Sequence, residues 1–124
     1  MTIDTTQLAG LRLELQRSDS DVANKVERVV KRGAMNIKRD WQSNAAARGS
    51  RHARRYPSSI TFDMKGKLEA EIGPVTGLGQ GFLGYILEYG GAHSPPFADG
   101  KRAVDKELPR FDKELAKVFD RFLV

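Results

Sequence analysis

Cysteine is absent from this chain of 124 residues, and histidine occurs only at His52 and His93. The lack of cysteine excludes a disulfide framework, a thiolate nucleophile and a zinc knuckle, and two histidines are too few for a histidine-rich metal site. No apolar run approaches the ~18 residues that a membrane span requires, and the N-terminus carries Asp4 where a signal peptide has positive charge. We therefore expect a soluble protein, made in the cytoplasm, with no cofactor, no metal ion and no membrane partner.

Positive charge is in excess and unevenly distributed. Lys and Arg number 21 against 16 Asp and Glu, which gives a net charge of +5. The segment from Lys38 to Arg55 holds six basic residues and a single acid, Asp40. Basic surfaces attract phosphate, so this segment raises a nucleic-acid hypothesis. Only Tyr56 and His52 are available there to stack on a base, so sequence-specific recognition of single strands is not expected.

The first half of the chain contains one strong helical pattern. Ser18, Ser20 and the acids beside them supply N-cap chemistry, and apolar residues then recur every three or four positions as far as Trp41. This pattern predicts a helix over about residues 20–43. Gly33 lies on its path, and a glycine inside a helix costs about 1 kcal/mol relative to alanine. We therefore expect Gly33 to allow close approach by a neighbouring element.

A second helical pattern lies near the C-terminus. Apolar residues alternate in steps of four and three from Val104 to Phe122, which predicts a helix over about residues 99–122. Pro109 interrupts this pattern, because proline has no N–H to donate to the carbonyl of Asp105. We expect the helix to be kinked or split at Pro109.

The middle of the chain has the alternation of a β-hairpin. Apolar residues alternate with polar ones on both sides of a turn that contains glycine; they are Ile60, Phe62, Met64, Leu68, Ala70 and Ile72. Two such runs predict a hairpin over about residues 57–73 with one buried face. The apolar run from Phe82 to Leu87 is either a further strand or a short buried helix, and its length does not decide between them.

Together these elements predict an α+β fold in a single domain, residues 1–124. A small antiparallel sheet is covered by the long helix and by the C-terminal helix. Residues 3–17 fit either a strand or a helix. Two connections are expected to be flexible: a basic loop over about residues 44–56 and a glycine-rich loop over about residues 73–81.

Catalytic chemistry finds little support in the sequence. The glycine-rich run lacks the Gly-Lys-Ser/Thr ending of a phosphate-binding P-loop. Glu88 is a carboxylate inside an apolar run, but a general acid there needs a second carboxylate or a histidine, and only His93 is near in sequence. We expect Glu88 to form a structural salt bridge or an inter-subunit contact, and the chain not to be an enzyme.

The segment around Glu88 has a distinctive order of residues. An aromatic and apolar run with one carboxylate ends at glycine, crosses a Pro-Phe corner and enters a helix with an early alanine. The residues of this pattern are Tyr85, Glu88, Tyr89, Gly90, Pro96, Phe97 and Ala103. With the preceding long helix, loop and hairpin, this order resembles the tail-completion or head-tail joining (neck) proteins of long-tailed bacteriophages, over about residues 8–119. One departure is the approach to the first hairpin strand, where Arg54-Arg55-Tyr56-Pro57 replaces the family's usual Pro, Thr-Gly and Leu pattern.

The resemblance implies a structural virion protein. Such a protein would assemble in the host cytoplasm as a ring, a homohexamer, at the head-tail junction. The ring would complete or terminate the tail tube and join it to the head, with DNA passing through the lumen. Its partners would be its own copies and other neck and tail-tube proteins. The alternative is a stand-alone basic nucleic-acid-binding module, which salt-dependent DNA binding by a monomer would favour.

Two groups of residues are candidate contact sites. Rigid aromatic side chains anchor interfaces, so we predict a subunit interface at Tyr85, Glu88, Tyr89, Pro96 and Phe97. In the basic loop, we predict that four arginines face either an adjacent subunit or DNA; they are Arg48, Arg51, Arg54 and Arg55. We favour the subunit, because fixed arginines in a lumen would hold phosphates and slow the exit of DNA, whereas arginine forms bidentate pairs with carboxylates.

Overall fold

The computed structural model describes residues 2–4, 20–49, 53–91 and 96–123. Within these ranges the chain forms a three-stranded antiparallel sheet and three α-helices. The strands are β1 (Thr2–Asp4), β2 (Ile60–Gly66) and β3 (Glu69–Pro74), and the helices are α1 (Ser20–Arg48), α2 (Gly84–Tyr89) and α3 (Asp99–Leu123). Short 3-10 helices at Pro57–Ser59 and Gly81–Leu83 precede β2 and α2. The predicted α+β fold class is confirmed.

The predicted hairpin is formed by β2 and β3. Phe62 lies opposite Ile72, and Met64 lies opposite Ala70, so the apolar residues of the two strands share one face. The register shifts between Met64 and Gly66, which places the turn at residues 67–68, slightly later than the sequence pattern indicates. Ala70 and Ile72 are fully buried, so the inward face of the hairpin is part of the core.

The further strand of the sheet comes from the N-terminus. β1 pairs with β3 in antiparallel register, and Ile3 lies opposite Ala70, so β3 is the central strand. The apolar run at residues 82–87, which fitted a strand or a helix, is helical. Of the ambiguous segment 3–17, residues 5–17 lie outside the described residues.

Helix α1 is longer than its amphipathic pattern predicts. It begins at Ser20 as expected but continues to Arg48 rather than ending near residue 43. Alanine is the best helix former, and the run Ala45–Ala47 extends the helix after the apolar stripe has ended. The prediction of a loop from residue 44 is therefore wrong for residues 44–48.

Helix α1 contacts both the sheet and α3. Its core-facing side chains share one hydrophobic cluster with the buried face of the hairpin, and Gln42 Nε2 donates to the carbonyl of Ile60 at 3.0 Å. Helix α3 packs mainly along α1, where Asn36 Nδ2 donates to Glu107 Oε1 at 3.0 Å. The long helix is therefore the element that joins the other parts of the fold.

Helix α3 is one continuous helix from Asp99 to Leu123 and is not split at Pro109. The residues around the proline, Leu108 and Arg110, are exposed, as is Asp105. The carbonyl that loses its hydrogen bond to the proline therefore belongs to a solvent-exposed stretch, where water can bond it. This exposure explains why the helix continues through Pro109.

Gly33 brings α1 and α3 close together, as its position in the sequence predicts. Gly33 is buried, and a Cβ atom added to it would lie 3.1 Å from Cδ2 of Phe111. The ring of Phe111 is itself only 8% exposed. The pair is a tight contact between the two long helices.

Phe111→Ala should lower the free energy of unfolding by about 3–5 kcal/mol, because it leaves a cavity between α1 and α3 that the helices cannot fully close. Leu108→Ala is the matched control, since Leu108 belongs to the same apolar stripe but is 44% exposed. We expect the control to cost less than about 1 kcal/mol. Denaturant titration measures both, and equal losses would contradict this packing.

Candidate interface and its supporting network

Helix α2 and the 3-10 helix before it carry an exposed aromatic face. Phe82, Tyr85, Ile86 and Tyr89 are 63%, 75%, 47% and 63% exposed, and their spacing places them on one side of a helical turn. The ring centroids of Tyr85 and Tyr89 lie 5.1 Å apart. These four residues, called here the α2 aromatic face, form the kind of contiguous apolar surface that marks interaction sites.

Glu88 lies on the opposite, buried side of α2. Its Oε1 accepts a hydrogen bond from the backbone N–H of Gly100 at 2.8 Å, and its Oε2 accepts one from Lys101 at 3.0 Å. Both amides belong to the first turn of α3, where backbone N–H groups have no partner within the helix and a carboxylate is favoured by the helix dipole. Glu88 thus caps α3 within its own chain, which corrects its prediction as an interface residue.

The end of α2 is held by two further backbone hydrogen bonds. The N–H of Gly90 donates to the carbonyl of Ile86 at 2.7 Å, and the N–H of Phe97 donates to the carbonyl of Leu87 at 2.9 Å. Gly90 has a φ of 87°, which glycine adopts without strain. The Gly90 bond closes the end of α2, and the Phe97 bond and the Glu88 cap hold α2 against the start of α3.

Asp99, at the start of α3, is 1% exposed and pairs with two arginines. Its Oδ2 accepts from Nε and Nη2 of Arg48 at 3.1 and 2.5 Å, and its Oδ1 accepts from Nη2 of Arg102 at 2.6 Å. Asn44 Nδ2 donates to the Asp99 carbonyl at 3.2 Å. A buried carboxylate requires such charge-assisted partners, and here they attach α3 to the last turns of α1.

Arg48 therefore makes its contacts within its own chain. Its side chain is 14% exposed, and its guanidinium carbon lies 4.1 Å from the centroid of the Phe97 ring, in a cation–π contact. The prediction that Arg48 belongs to a loop facing DNA or another subunit is wrong, because it is helical and paired with Asp99. Phe97 remains 37% exposed beside this contact, and Pro96 is exposed as well.

Tyr56 and Trp41 lie in the core behind this network. Tyr56 is 1% exposed, so it is not available to stack on a base, and burial raises the pKa of its phenol. The start of α3 passes directly over the indole, since a Cβ atom added to Gly100 would lie 2.7 Å from Cη2 and Cζ2 of Trp41. Glycine is required here for close approach of the two helices.

The other predicted basic residues do not join Arg48. Arg54 and Arg55 lie in exposed turns, and neither forms an ion pair among the residues that the structure describes. The backbone N–H of Arg55 donates to Gln80 Oε1 at 2.7 Å, which ties this segment to the glycine-rich connection. Arg51 lies outside the described residues. The sequence pattern predicts one basic loop because it ends α1 near residue 43, five residues before its actual end. Arg48 therefore falls in the helix and not in the loop with the other arginines.

Glu88→Ala should lower the free energy of unfolding by about 2–3 kcal/mol, because one buried and one part-buried amide of α3 lose a charged acceptor. Glu88→Gln keeps one acceptor oxygen and should lose less. Glu69→Ala is the control, since Glu69 is exposed, and should change stability by less than about 0.5 kcal/mol. Thermal or denaturant unfolding measures all three, and a Glu88→Ala variant as stable as the control would refute the capping role.

Gly100→Ala should cost about 1–3 kcal/mol through overpacking against the Trp41 ring. Gly77→Ala is the matched control, because a Cβ atom added to Gly77 meets nothing within 4 Å. The control should stay within about 0.5 kcal/mol of the wild type. The change in tryptophan fluorescence on unfolding reports both variants, and an unchanged Gly100→Ala midpoint would show that α3 does not approach the indole.

In the part of the chain that the structure describes, no cluster of three or more His, Cys, Asp or Glu side chains is arranged to hold a metal ion. No helix among the same residues is long and apolar enough to cross a membrane. No protein-family model, no curated protein and no solved structure matches the chain.

Proposed function

We propose that this chain is a structural virion protein of the head-tail junction of a long-tailed bacteriophage, without enzymatic activity. Its copies form a ring, a homohexamer, that completes or terminates the tail tube and joins it to the head. The ring assembles in the host cytoplasm, contacts other neck and tail-tube proteins, and lets DNA pass through its lumen. The α2 aromatic face carries this proposal, together with the order of residues from Tyr85 to Ala103.

The α2 aromatic face has the composition of an interface core. Aromatic side chains bury about 150–250 Å² each when fully covered, so three of them supply a good part of the ~800 Å² per partner of a standard interface. Leu78, 46% exposed, adds apolar surface in the segment before Phe82. A monomer of this size has no structural need for three exposed aromatic rings within eight residues.

The hydrogen bonds that hold α2 in place favour binding of a partner to the α2 aromatic face. Glu88 and the Leu87–Phe97 hydrogen bond hold α2 on α3, so the aromatic rings need little further ordering when a partner covers them. A face of this kind closes a ring when it meets a different surface of the next copy at a fixed rotation. Phe97 and Pro96, exposed at the corner next to α2, are expected at the edge of the same contact.

Arg54 and Arg55 are assigned to a second contact within this proposal. They are exposed and lie on a backbone held by hydrogen bonds, so their guanidinium groups are available to carboxylates of an adjacent subunit or neck layer. Arg48 takes no part, because Asp99 already neutralises it.

The proposal predicts that the purified chain forms a closed ring of about six copies, and that Tyr85→Ser with Tyr89→Ser abolishes it without unfolding the subunit. Native mass spectrometry and negative-stain electron microscopy measure the assembly, and circular dichroism checks the fold. Met35→Ser with Leu108→Ser is the matched control, because both residues are exposed apolar side chains outside the α2 aromatic face. Rings that survive the tyrosine changes, or a wild type that stays monomeric at high concentration, would contradict the proposal.

A further inference from the structure

The outward side of α1 carries a row of basic residues without an acid among them. At about 100° per residue, these side chains fall within about 60° of the line through Arg28, opposite the core-facing side of the helix. All of them are exposed; they are Lys25, Arg28, Lys31, Arg32 and Arg39, called here the α1 basic stripe. Asp21 lies on the same side of α1, one turn before Lys25, and Glu27 and Asp40 lie on the flanks of the helix.

Among the residues that the structure describes, the cations of this stripe form no direct ion pairs, although Glu107 and Glu114 line a cavity beside Arg28 and Arg32. Within the described ranges, none of its members forms an ion pair, whereas other exposed lysines do, such as Lys101 with Asp105 at 2.9 Å and Lys117 with Glu114 at 3.2 Å. A shallow groove of about 350 Å³ follows the stripe between Arg28 and Arg39. A row of cations without direct ion pairs along a groove is a surface for an extended anion.

We propose that the α1 basic stripe binds the phosphate backbone of double-stranded DNA. From Lys25 to Arg39 the helix rises about 21 Å at 1.5 Å per residue. A duplex of that length carries about twelve phosphates, at one charge per about 1.7 Å of its axis. Because each strand winds around the axis, a straight helix contacts the phosphates at the edges of the groove that it lies across. Among the described residues, no other surface combines this length with this charge.

The side chains of the stripe favour contact with phosphates rather than with bases. Arginine and lysine at successive helical turns neutralise backbone charge, while the neighbouring amide of Asn36 is already bonded to Glu107. Binding is therefore independent of sequence and weak, with a dissociation constant of about 10⁻⁴–10⁻⁶ M at physiological salt, and the DNA can slide along the surface.

An anionic membrane is a poorer match for the same surface. A helix that lies on a bilayer needs a broad apolar face beside its basic residues. Met35 is the exposed large apolar residue on the same side of α1, and the opposite side of α1 is buried in the core. The geometry thus favours DNA.

The inference does not rest on the proposed ring, because a single subunit carries the whole stripe. It is tested with the full chain and a fluorescently labelled 30-base-pair duplex of mixed sequence, by anisotropy between 50 and 200 mM KCl. Arg28→Gln with Arg32→Gln should weaken binding about tenfold at low salt and reduce the slope of log K against log salt by about 2. Arg54→Gln with Arg55→Gln removes the same charge from another exposed surface and should change affinity less than about twofold.

A second pair of substitutions and a check of folding complete the experiment. Lys31→Gln with Arg39→Gln should reproduce the loss, which guards against a folding defect in the first variant, and circular dichroism checks all of them. Equal losses in the stripe and control variants would overturn the proposal in favour of net charge alone. Failure of the wild type to bind the duplex, with or without retention on phosphatidylserine vesicles, would overturn it as well. DNA binding without ring formation would support the stripe and contradict only the ring.

Discussion

The two oxygens of the buried Glu88 carboxylate each accept a hydrogen bond from an amide in the first turn of α3. This contact holds α2 and starts α3 at a defined position. The next contacts depend on that start: Asp99 meets Arg48, and Gly100 lies against the Trp41 indole. Three consecutive residues, 99–101, thus fix α3 to both α1 and α2. Because the three contacts lie on consecutive residues of one helix turn, we expect the loss of one to disturb the others.

The charged side chains that join the helices are buried, whereas the surfaces that can contact partners are exposed elsewhere. Glu88 is hydrogen-bonded to backbone amides, and Asp99 and Arg48 are paired with each other, so none of them is available outside the chain. The exposed surfaces are of two different kinds: the α2 aromatic face is apolar and rigidly held, and the α1 basic stripe is polar and extended. Protein contact suits the first surface and phosphate contact suits the second.

Much of the fold follows from periodicity in the sequence. The apolar spacing of α1 and α3 and the alternation of the hairpin identify these elements, because each pattern fits one secondary structure. Helix α2 is too short for its pattern to decide, and the length of α1 beyond residue 43 depends on alanines that carry no amphipathic signal. Strand β1 pairs with a residue range about 65 positions away, Ile3 with Ala70, and no local pattern contains that information.

The candidate site shows the same limit. Glu88 was visible as an isolated carboxylate in an apolar run, but its partners are backbone amides, which every residue has and which leave no trace in a sequence. Proximity along the chain groups Arg48 with Arg54 and Arg55, although its side chain is turned to Asp99, 51 residues away. The tyrosines are recognisable in the sequence as candidate interface residues, because an aromatic pair beside glycine is a distinctive local composition. The basic outer side of α1 follows from helical spacing, because residues three and four apart share one side of a helix.

Residue-resolved amide hydrogen exchange of the isolated subunit tests the capping contact most directly. The account predicts that the amides of Gly90, Phe97, Gly100 and Lys101 share one opening free energy, because the Glu88 carboxylate joins α2 and α3 into one cooperative unit. Exchange of Gly90 and Phe97 at the rate of an unfolded chain, while Gly100 and Lys101 stay protected, would contradict it.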